Sequence, residues 1–148
     1  MHRTCSAYDT IRRGKLQVRL CRATQSPKER LLLLGDSFKI YVLTADTHGT
    51  AAAMCDGLPL EIMTFPSGSA MDEKLRILNS LGAEHCIAIG NGRNDVPMCQ
   101  AAALSIAVMG TEGAYGKLIP ECDVCTTSIA DALDLLMLPK RLIATLRG

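Results

Sequence analysis

The fold is decided by the stretch Cys86-Ile87-Ala88-Ile89-Gly90-Asn91-Gly92-Arg93-Asn94-Asp95. Its first four residues form an apolar run of strand length, and the residues that follow are typical of a turn and a helix start. Glycines at the end of a strand let the backbone turn sharply and let a ligand come close to it. Asn91 and Asp95 carry oxygen atoms of the kind that Mg²⁺ prefers. The alternative is a plain turn in which Asn94 or Asp95 caps the next helix.

Apolar runs of strand length alternate with helical patterns on both sides of this stretch. Strands are predicted at 38–44, 60–65, 86–89, 104–108 and 124–126. Helices are predicted at 28–35, 47–55, 71–81, 94–103, 129–137 and 140–146. Ser69 and Ser128 are candidate N-terminal caps, the latter with Asp131 three residues on. The alternation predicts a doubly wound, mostly parallel α/β sheet of Rossmann-like type, with no evident cap domain and with ligands at the carboxyl ends of the strands.

Two further positions are candidates for chemistry at that edge. The strand over 38–44 ends in Thr44, whose hydroxyl can donate to a phosphoryl oxygen without adding charge. Lys74 lies early in the helix over 71–81, where an ammonium group can neutralise phosphate. The alternatives are that Thr44 or Asp46 caps the following helix, and that Lys74 is a solvated surface lysine.

Composition and charge narrow the class of protein and its partners. No apolar run reaches the length of a membrane span, and no apolar signal segment is visible. The seven cysteines are an odd number, and several lie in apolar runs, which favours reduced, buried thiols and a cytoplasmic protein. Cys122 and Cys125 have metal-ligand spacing, but no second pair accompanies them, and ordinary strand cysteines are the alternative.

The charge is unevenly distributed along the chain. Residues 1–28 carry seven Lys or Arg and one acid, Asp9, whereas the rest of the chain has an excess of acids. A basic arm of this kind can bind nucleic acid, but this one has a single aromatic residue, Tyr8, and no apolar periodicity. We therefore predict no nucleic-acid partner.

Three features occur in the same order as motifs two, three and four of the haloacid dehalogenase-like superfamily and resemble them. They are the strand that ends in Thr44, then Lys74, then the Gly-Asn-Gly-x-Asn-Asp segment at 90–95. The stretches YVLTADTHGTA (41–51), IAIGNGRNDVPM (87–98) and AAALSIAV (101–108) are similar to the phosphorylation domain of P-type ATPases and to its small soluble relatives. The resemblance spans about residues 28–147. It implies a Mg²⁺-dependent phosphohydrolase or phosphoryl-transfer enzyme that forms an aspartyl-phosphate.

The resemblance also implies a role for each matching residue. Thr44 and Ala45 would bind the phosphoryl group, Lys74 would stabilise the nucleophile and the intermediate, and Asn91 and Asp95 would hold Mg²⁺. Many members of the superfamily have Asp in place of Asn91, and the lost charge should weaken Mg²⁺ binding. The ligand would be a phosphorylated substrate or partner protein.

The nucleophile motif of the superfamily, Asp-x-Asp/Asn-Gly-Thr, does not occur in residues 1–37. Its nearest counterpart is Ala7-Tyr8-Asp9-Thr10-Ile11, in which Ala7 takes the place of the nucleophile and the glycine is missing. Asp9 is the one carboxylate in residues 1–27 and is therefore the candidate nucleophile. We expect residues 1–27 to be a divergent, poorly ordered replacement of the first strand, followed by an α/β domain over 28–148.

Three functions remain open at this point. The first is a phosphohydrolase or phosphoryl-transfer enzyme, inactive as written if the nucleophile is missing. The second is a non-catalytic protein of the same fold that binds phosphate or Mg²⁺ and acts as a regulator or partner. The third is the product of an altered reading frame.

Overall fold

The structure is a computed structural model that describes the backbone of residues 15–18 and 25–26 and all atoms of residues 27–45 and 48–147. The strands in this part of the chain are β1 (Lys15–Val18), β2 (Lys39–Thr44), β3 (Leu60–Thr64), β4 (Cys86–Gly90), β5 (Leu104–Val108) and β6 (Val124–Thr126). The helices are α1 (Gln25–Leu34), α2 (Thr50–Met54), α3 (Ala70–Leu81), α4 (Val96–Ala101), α5 (Ile129–Met137) and α6 (Pro139–Leu146). Short 3₁₀ turns lie at Ser67–Ser69, Ala83–His85, Arg93–Asp95 and Ile119–Glu121.

The strands form one sheet in the order β3-β2-β1-β4-β5-β6. Each pair of neighbours is parallel, which confirms the doubly wound parallel sheet. From β1 the chain proceeds outward to β2 and β3, then returns to the other side of β1 for β4. The strand order therefore reverses between β1 and β4, and crevices at such a reversal are where open α/β sheets bind ligands.

β1 is a strand that the sequence analysis did not predict. Lys15–Val18 pairs with β2 on one side, from Lys39 to Val42, and with β4 on the other, from Cys86 to Ile89. Its four residues alternate Lys-Leu-Gln-Val, too short and too polar a pattern to indicate a central strand. The rest of the segment before α1 lies outside the described residues, so the division of the chain at residue 28 stays a prediction.

Side chains on the two faces of the sheet form two separate cores. Because successive side chains of a strand point to opposite faces, Ile87 and Ile89 of β4 join one core, and Cys86 and Ala88 join the other. The first core is covered by α1, α5 and α6, through buried residues that include Leu31, Leu34, Leu133, Leu136 and Leu142. The second core is covered by α3 and α4, through buried residues that include Ala70, Ile77, Leu78, Met98 and Cys99.

The ends of several helices differ from the prediction for local reasons. α2 begins after Gly49, which adopts a left-handed conformation with φ 80° that a right-handed helix does not contain. Ser69 does not cap α3, because its hydroxyl donates to the carbonyl oxygen of Pro66 at 3.2 Å. Ser128 does cap α5, since its Oγ accepts the backbone N–H of Asp131 at 3.0 Å.

α4 is shorter than the predicted helix over 94–103, because a 3₁₀ turn at Arg93–Asp95 precedes it and puts its first residue at Val96. None of the helices in the described residues combines the length and the apolar character that crossing a membrane requires.

Candidate functional site

The carboxyl ends of β2 and β4 meet at one edge of the sheet. Val18 of β1 pairs with both Val42 and Ile89, so Thr44 and Asn91, each two residues further along, stand at the same height. One strand lies between them, and two steps of the strand spacing separate their backbones by about 10 Å. The edge therefore brings Thr44 and the loop after β4 to the two sides of the carboxyl end of β1.

Lys74 reaches this edge from α3 and is buried there. Its side chain is 4% exposed, and its Nζ donates to Oδ1 of Asp95, which is 0% exposed. The sequence analysis left open whether Lys74 neutralises phosphate or is a solvated surface lysine. The observed buried face instead includes Lys74 beside Ala70, Ile77 and Leu78. The reason is the ion pair, since a lysine enters a core when a carboxylate meets it.

The carboxylate of Asp95 also organises the loop that precedes it. Its Oδ2 accepts the backbone N–H of Asn91 at 3.0 Å and that of Gly92 at 2.9 Å. The N–H of Asp95 in turn donates to the carbonyl oxygen of Gly92 at 3.1 Å. Asp95 thus ties the loop after β4 to α3 through hydrogen bonds to an ionised group, which are stronger than neutral ones.

Gly90 is required where the loop begins. A Cβ at this position would lie 2.6 Å from the Cβ of Asp95 and 2.7 Å from its Cγ and Oδ2, closer than real side chains approach each other. The glycine therefore serves the close packing of the strand end against Asp95. This close packing is a structural reason for the glycine, beside the ligand approach that the sequence suggested.

The structure assigns different surroundings to the predicted site residues. Thr44 and Ala45 are half-buried at the end of β2, where the N–H of Phe65 donates to the carbonyl oxygen of Thr44 at 3.3 Å. Asn91 is also half-buried, and its carbonyl oxygen accepts the N–H of Tyr115, in the loop after β5, at 2.8 Å. Their predicted roles in phosphate and metal binding stay predictions.

Asp95 is placed differently from an open metal ligand. It is fully buried, and both of its oxygens accept hydrogen bonds from protein donors. The described residues contain no group of three or more His, Cys, Asp or Glu side chains that could hold a metal ion. Cys122 and Cys125, the pair with metal-ligand spacing, are accordingly in no such group.

Asp9, the candidate nucleophile, lies outside the described residues. In the sequence it precedes β1, whereas the resemblance implies a nucleophile at the end of the first strand. No Asp or Glu occurs between Asp9 and Glu29, an exposed residue of α1. Residues 19–24, which follow β1 in the sequence, therefore contain no carboxylate.

Solved structures share this architecture. One is 3-deoxy-D-manno-octulosonate 8-phosphate phosphatase from Moraxella catarrhalis, in complex with magnesium and phosphate ions and the KDO molecule. Its superposition on this chain has a TM-score of 0.67 at 15% sequence identity and covers 95% of this chain and 97% of that one. A probable YrbI family phosphatase from Pseudomonas syringae has a TM-score of 0.71 at 12% identity, over 97% and 99%. A zinc-transporting PIB-type ATPase has a TM-score of 0.65 at 24% identity, over 82% of this chain and 19% of that one. These similarities show a haloacid dehalogenase-like fold.

Sequence comparison adds a relative from an archaeon. The sequence matches no known family model. It is 46% identical over 84 residues to the uncharacterized protein MJ0073 of Methanocaldococcus jannaschii, which corresponds to 54% of this chain and 90% of that protein. The chain therefore belongs to the same family as MJ0073 of Methanocaldococcus jannaschii.

Proposed function

We propose that this protein binds a phosphoryl group at the carboxyl edge of its sheet and does not hydrolyse it. The observation that carries the proposal is the buried Lys74–Asp95 pair beside the crevice where the strand order reverses. A buried ion pair contributes little net stability compared with apolar packing. The position of the pair at the carboxyl edge where the strand order reverses, rather than a contribution to stability, makes it a candidate for ligand binding.

The proposed ligand contacts come from two sides of the crevice. An ammonium group has three N–H donors, and the Lys74 ammonium, held in place by Asp95, would offer one of them to a phosphoryl oxygen. Thr44 would donate its hydroxyl from the end of β2, and Ala45 would provide the backbone next to it. The ligand would be a phosphorylated substrate or partner protein, as the phosphatases of similar fold suggest.

Binding without hydrolysis is supported by the residues that follow β1 in the sequence. Carboxylate nucleophiles form a covalent phosphoryl-enzyme intermediate that water then hydrolyses, and no Asp or Glu stands between Asp9 and Glu29. Contacts that bind the ground state alone do not lower the barrier. A phosphohydrolase is the second candidate, favoured by the fold shared with phosphatases; it would need Asp9 as the nucleophile.

Mg²⁺ is the metal that the resemblance implies, and the described residues fit it incompletely. Mg²⁺ needs near-octahedral oxygen ligands, usually with one or two carboxylates. The one carboxylate of the loop, Asp95, is engaged with Lys74, Asn91 and Gly92. The side-chain oxygen of Asn91, which is half-buried, could contribute one further ligand. We therefore assign Mg²⁺ no step in phosphate binding.

We further propose that the chain is nearer to the phosphorylation domain of P-type ATPases than to the sugar-phosphate phosphatases. Support comes from the higher identity to the zinc-transporting ATPase, 24% against 12–15%, and from the Lys and Gly-Asn-Gly-x-Asn-Asp motifs. A cytoplasmic location remains a prediction from the sequence.

Isothermal titration with inorganic phosphate tests the proposal. Thr44→Val should weaken phosphate binding about tenfold, the effect of losing one hydrogen bond to a charged group. Thr64→Val is the matched control, because Thr64 pairs with Thr44 on β3, the strand farther from the crevice. It should bind phosphate as the native chain does. No detectable phosphate binding, or equal affinity in both variants, would contradict the proposed site.

A further inference from the structure

Two neighbouring leucines of α1 are the most exposed large apolar side chains in the described residues. Leu32 is 50% exposed and Leu33 is 59% exposed. Helical spacing puts Glu29 on the same stripe of the helix, and Asp36 follows just beyond its end. Both of these acidic residues are exposed. The stripe therefore has an apolar centre with a carboxylate at each end, and apolar surface rimmed by polar residues is typical of an interaction site.

A cavity adjoins this stripe at the amino edge of the sheet. It has a volume of about 520 Å³ and lies between the turn after α1 and the starts of β2 and β3. Asp36 lines it together with Pro59 and Leu60. Glu61 also lines it but already contacts Lys39 at 3.5 Å. The carboxylate of Asp36 has no such ion pair within the part of the chain that the structure describes.

The charges of this surface favour a basic occupant over a second copy of the chain. If two α1 helices packed antiparallel, Glu29 of one copy would lie near Asp36 of the other, and like charges brought together oppose association. α1 also has no Lys or Arg in its last turn, and the carbonyl end of a helix attracts cations. The surface therefore fits a segment that combines an apolar side chain with arginine or lysine.

A segment of this kind precedes β1 and enters the fold beside the cavity. It is Ile11-Arg12-Arg13, separated from β1 by one residue, and it lies outside the described residues. Lys15, the first residue of β1, pairs with Lys39, which lines the cavity. Lys39 is 24 residues after Lys15, and Asp36 is likewise 24 residues after Arg12. The register of β1 against β2, continued backward, therefore sets Arg12 level with Asp36.

We propose that the segment Ile11-Arg12-Arg13 binds to the surface formed by Leu33, Asp36 and the cavity. One of its arginines pairs with Asp36, the other lies at the carbonyl end of α1, and Ile11 covers Leu33. This contact holds the chain where it enters β1, the strand at which the strand order reverses. The surface is at the opposite edge of the sheet from the proposed phosphoryl site, so the two proposals are independent.

Limited digestion with trypsin measures this contact on the full chain, because trypsin cleaves after Arg12 and Arg13. The cleavage rate follows the fraction of molecules in which the segment is detached. Mass spectrometry compares the native chain with a free peptide that has the sequence of residues 8–18. We expect cleavage of the native chain to be slower than that of the peptide by about tenfold or more, the ratio that a binding free energy of about 1.4 kcal/mol gives.

Paired variants show whether the proposed surface provides the protection. Leu33→Gln should raise the cleavage rate about tenfold by removing the apolar contact, and Asp36→Asn should raise it about threefold by removing an exposed ion pair. Met109→Gln and Asp72→Asn are the matched controls, because both side chains are exposed and both follow the carboxyl ends of strands. They should leave the rate unchanged. Cleavage after the buried Lys74 reports global unfolding and should stay slow in every variant.

Three results would overturn the proposal. The first is a native chain that is cleaved after Arg12 and Arg13 as fast as the free peptide. The second is protection that Leu33→Gln and Asp36→Asn leave unchanged. The third is protection that falls when the protein is diluted, together with a dimer in size-exclusion chromatography, which would assign the surface to a second copy of the chain.

Discussion

Replacing Lys74 by methionine should destabilise the fold by an amount set by the carboxylate that it leaves behind. Lys74 is 4% exposed and Asp95 is 0% exposed, and removing one partner of a buried ion pair costs about 3–5 kcal/mol. Asp95 keeps two backbone N–H donors after the change. We therefore expect the free energy of unfolding to fall by about 3 kcal/mol, the lower end of this range. For a domain of this size, that loss lowers the melting temperature by about 6–12 °C.

The partner substitution should cost more, and the two should not add. Asp95→Asn leaves the Lys74 ammonium buried without its carboxylate, which corresponds to the upper end, about 5 kcal/mol. The double variant Lys74→Met/Asp95→Asn contains neither charge. Its destabilisation should therefore be smaller than the sum of the single changes by about 1–3 kcal/mol.

Urea unfolding followed by far-ultraviolet circular dichroism measures these free energies. Lys117→Met and Asp72→Asn are the matched controls, because both side chains are exposed, and each should stay within about 0.5 kcal/mol of the native chain. The reasoning is refuted if Lys74→Met is as stable as Lys117→Met. It is also refuted if the effects of the two buried substitutions are additive.

Two further predictions concern packing and pH. Gly90→Ala should lower the free energy of unfolding by about 1–3 kcal/mol or more, because the added Cβ would lie 2.6 Å from that of Asp95. Gly68→Ala is the control, and it should not lower stability, because there is open space around Gly68. Thermal melts of the two variants measure the difference. Arg30, which donates to Asp134 at 2.6 Å, lowers the pKa of that carboxyl. The Arg30–Asp134 pair therefore stabilises the fold at pH values above about 3.9, the pKa of an aspartate in the unfolded chain. This stabilisation is lost as the pH falls through the lower pKa that Asp134 has in the folded protein. Melting temperatures of Asp134→Asn should accordingly lie below those of the native chain at pH 7 and converge with them near pH 2; a difference that persists in acid would contradict this assignment.

The strands on either side of β1 and the loop of the site were predictable from the sequence. Apolar runs ending in Thr44 and Ile89 gave the correct strands, because a parallel sheet buried on both faces needs continuous apolar segments. The same pattern placed Asn91 and Asp95 at the carboxyl edge. Ser128 with Asp131 correctly indicated the start of α5, since capping depends on local chemistry alone.

What the sequence did not reveal depends on contacts between distant parts of the chain. β1 was missed because its Lys-Leu-Gln-Val sequence is too short and too polar to predict a central strand. It forms a strand because it pairs with the apolar strands β2 and β4 on both sides. The burial of Lys74 depends on Asp95, 21 residues away, and no periodicity of α3 contains that information. Phosphate and metal binding by these residues stay predictions.

The central claim is that a phosphoryl site is present and that the attacking carboxylate is missing after β1. Grafting tests it most directly: residues 19–23, which follow β1, are replaced by Asp-Tyr-Asn-Gly-Thr, with Asn-Tyr-Asn-Gly-Thr as the matched control. Hydrolysis of an aryl phosphate with Mg²⁺ is then measured for the native chain and both grafts, each checked for folding by circular dichroism. We predict turnover by the Asp graft alone. Turnover by the native chain, whether or not Asp9→Asn abolishes it, or a folded Asp graft without turnover, would contradict the account.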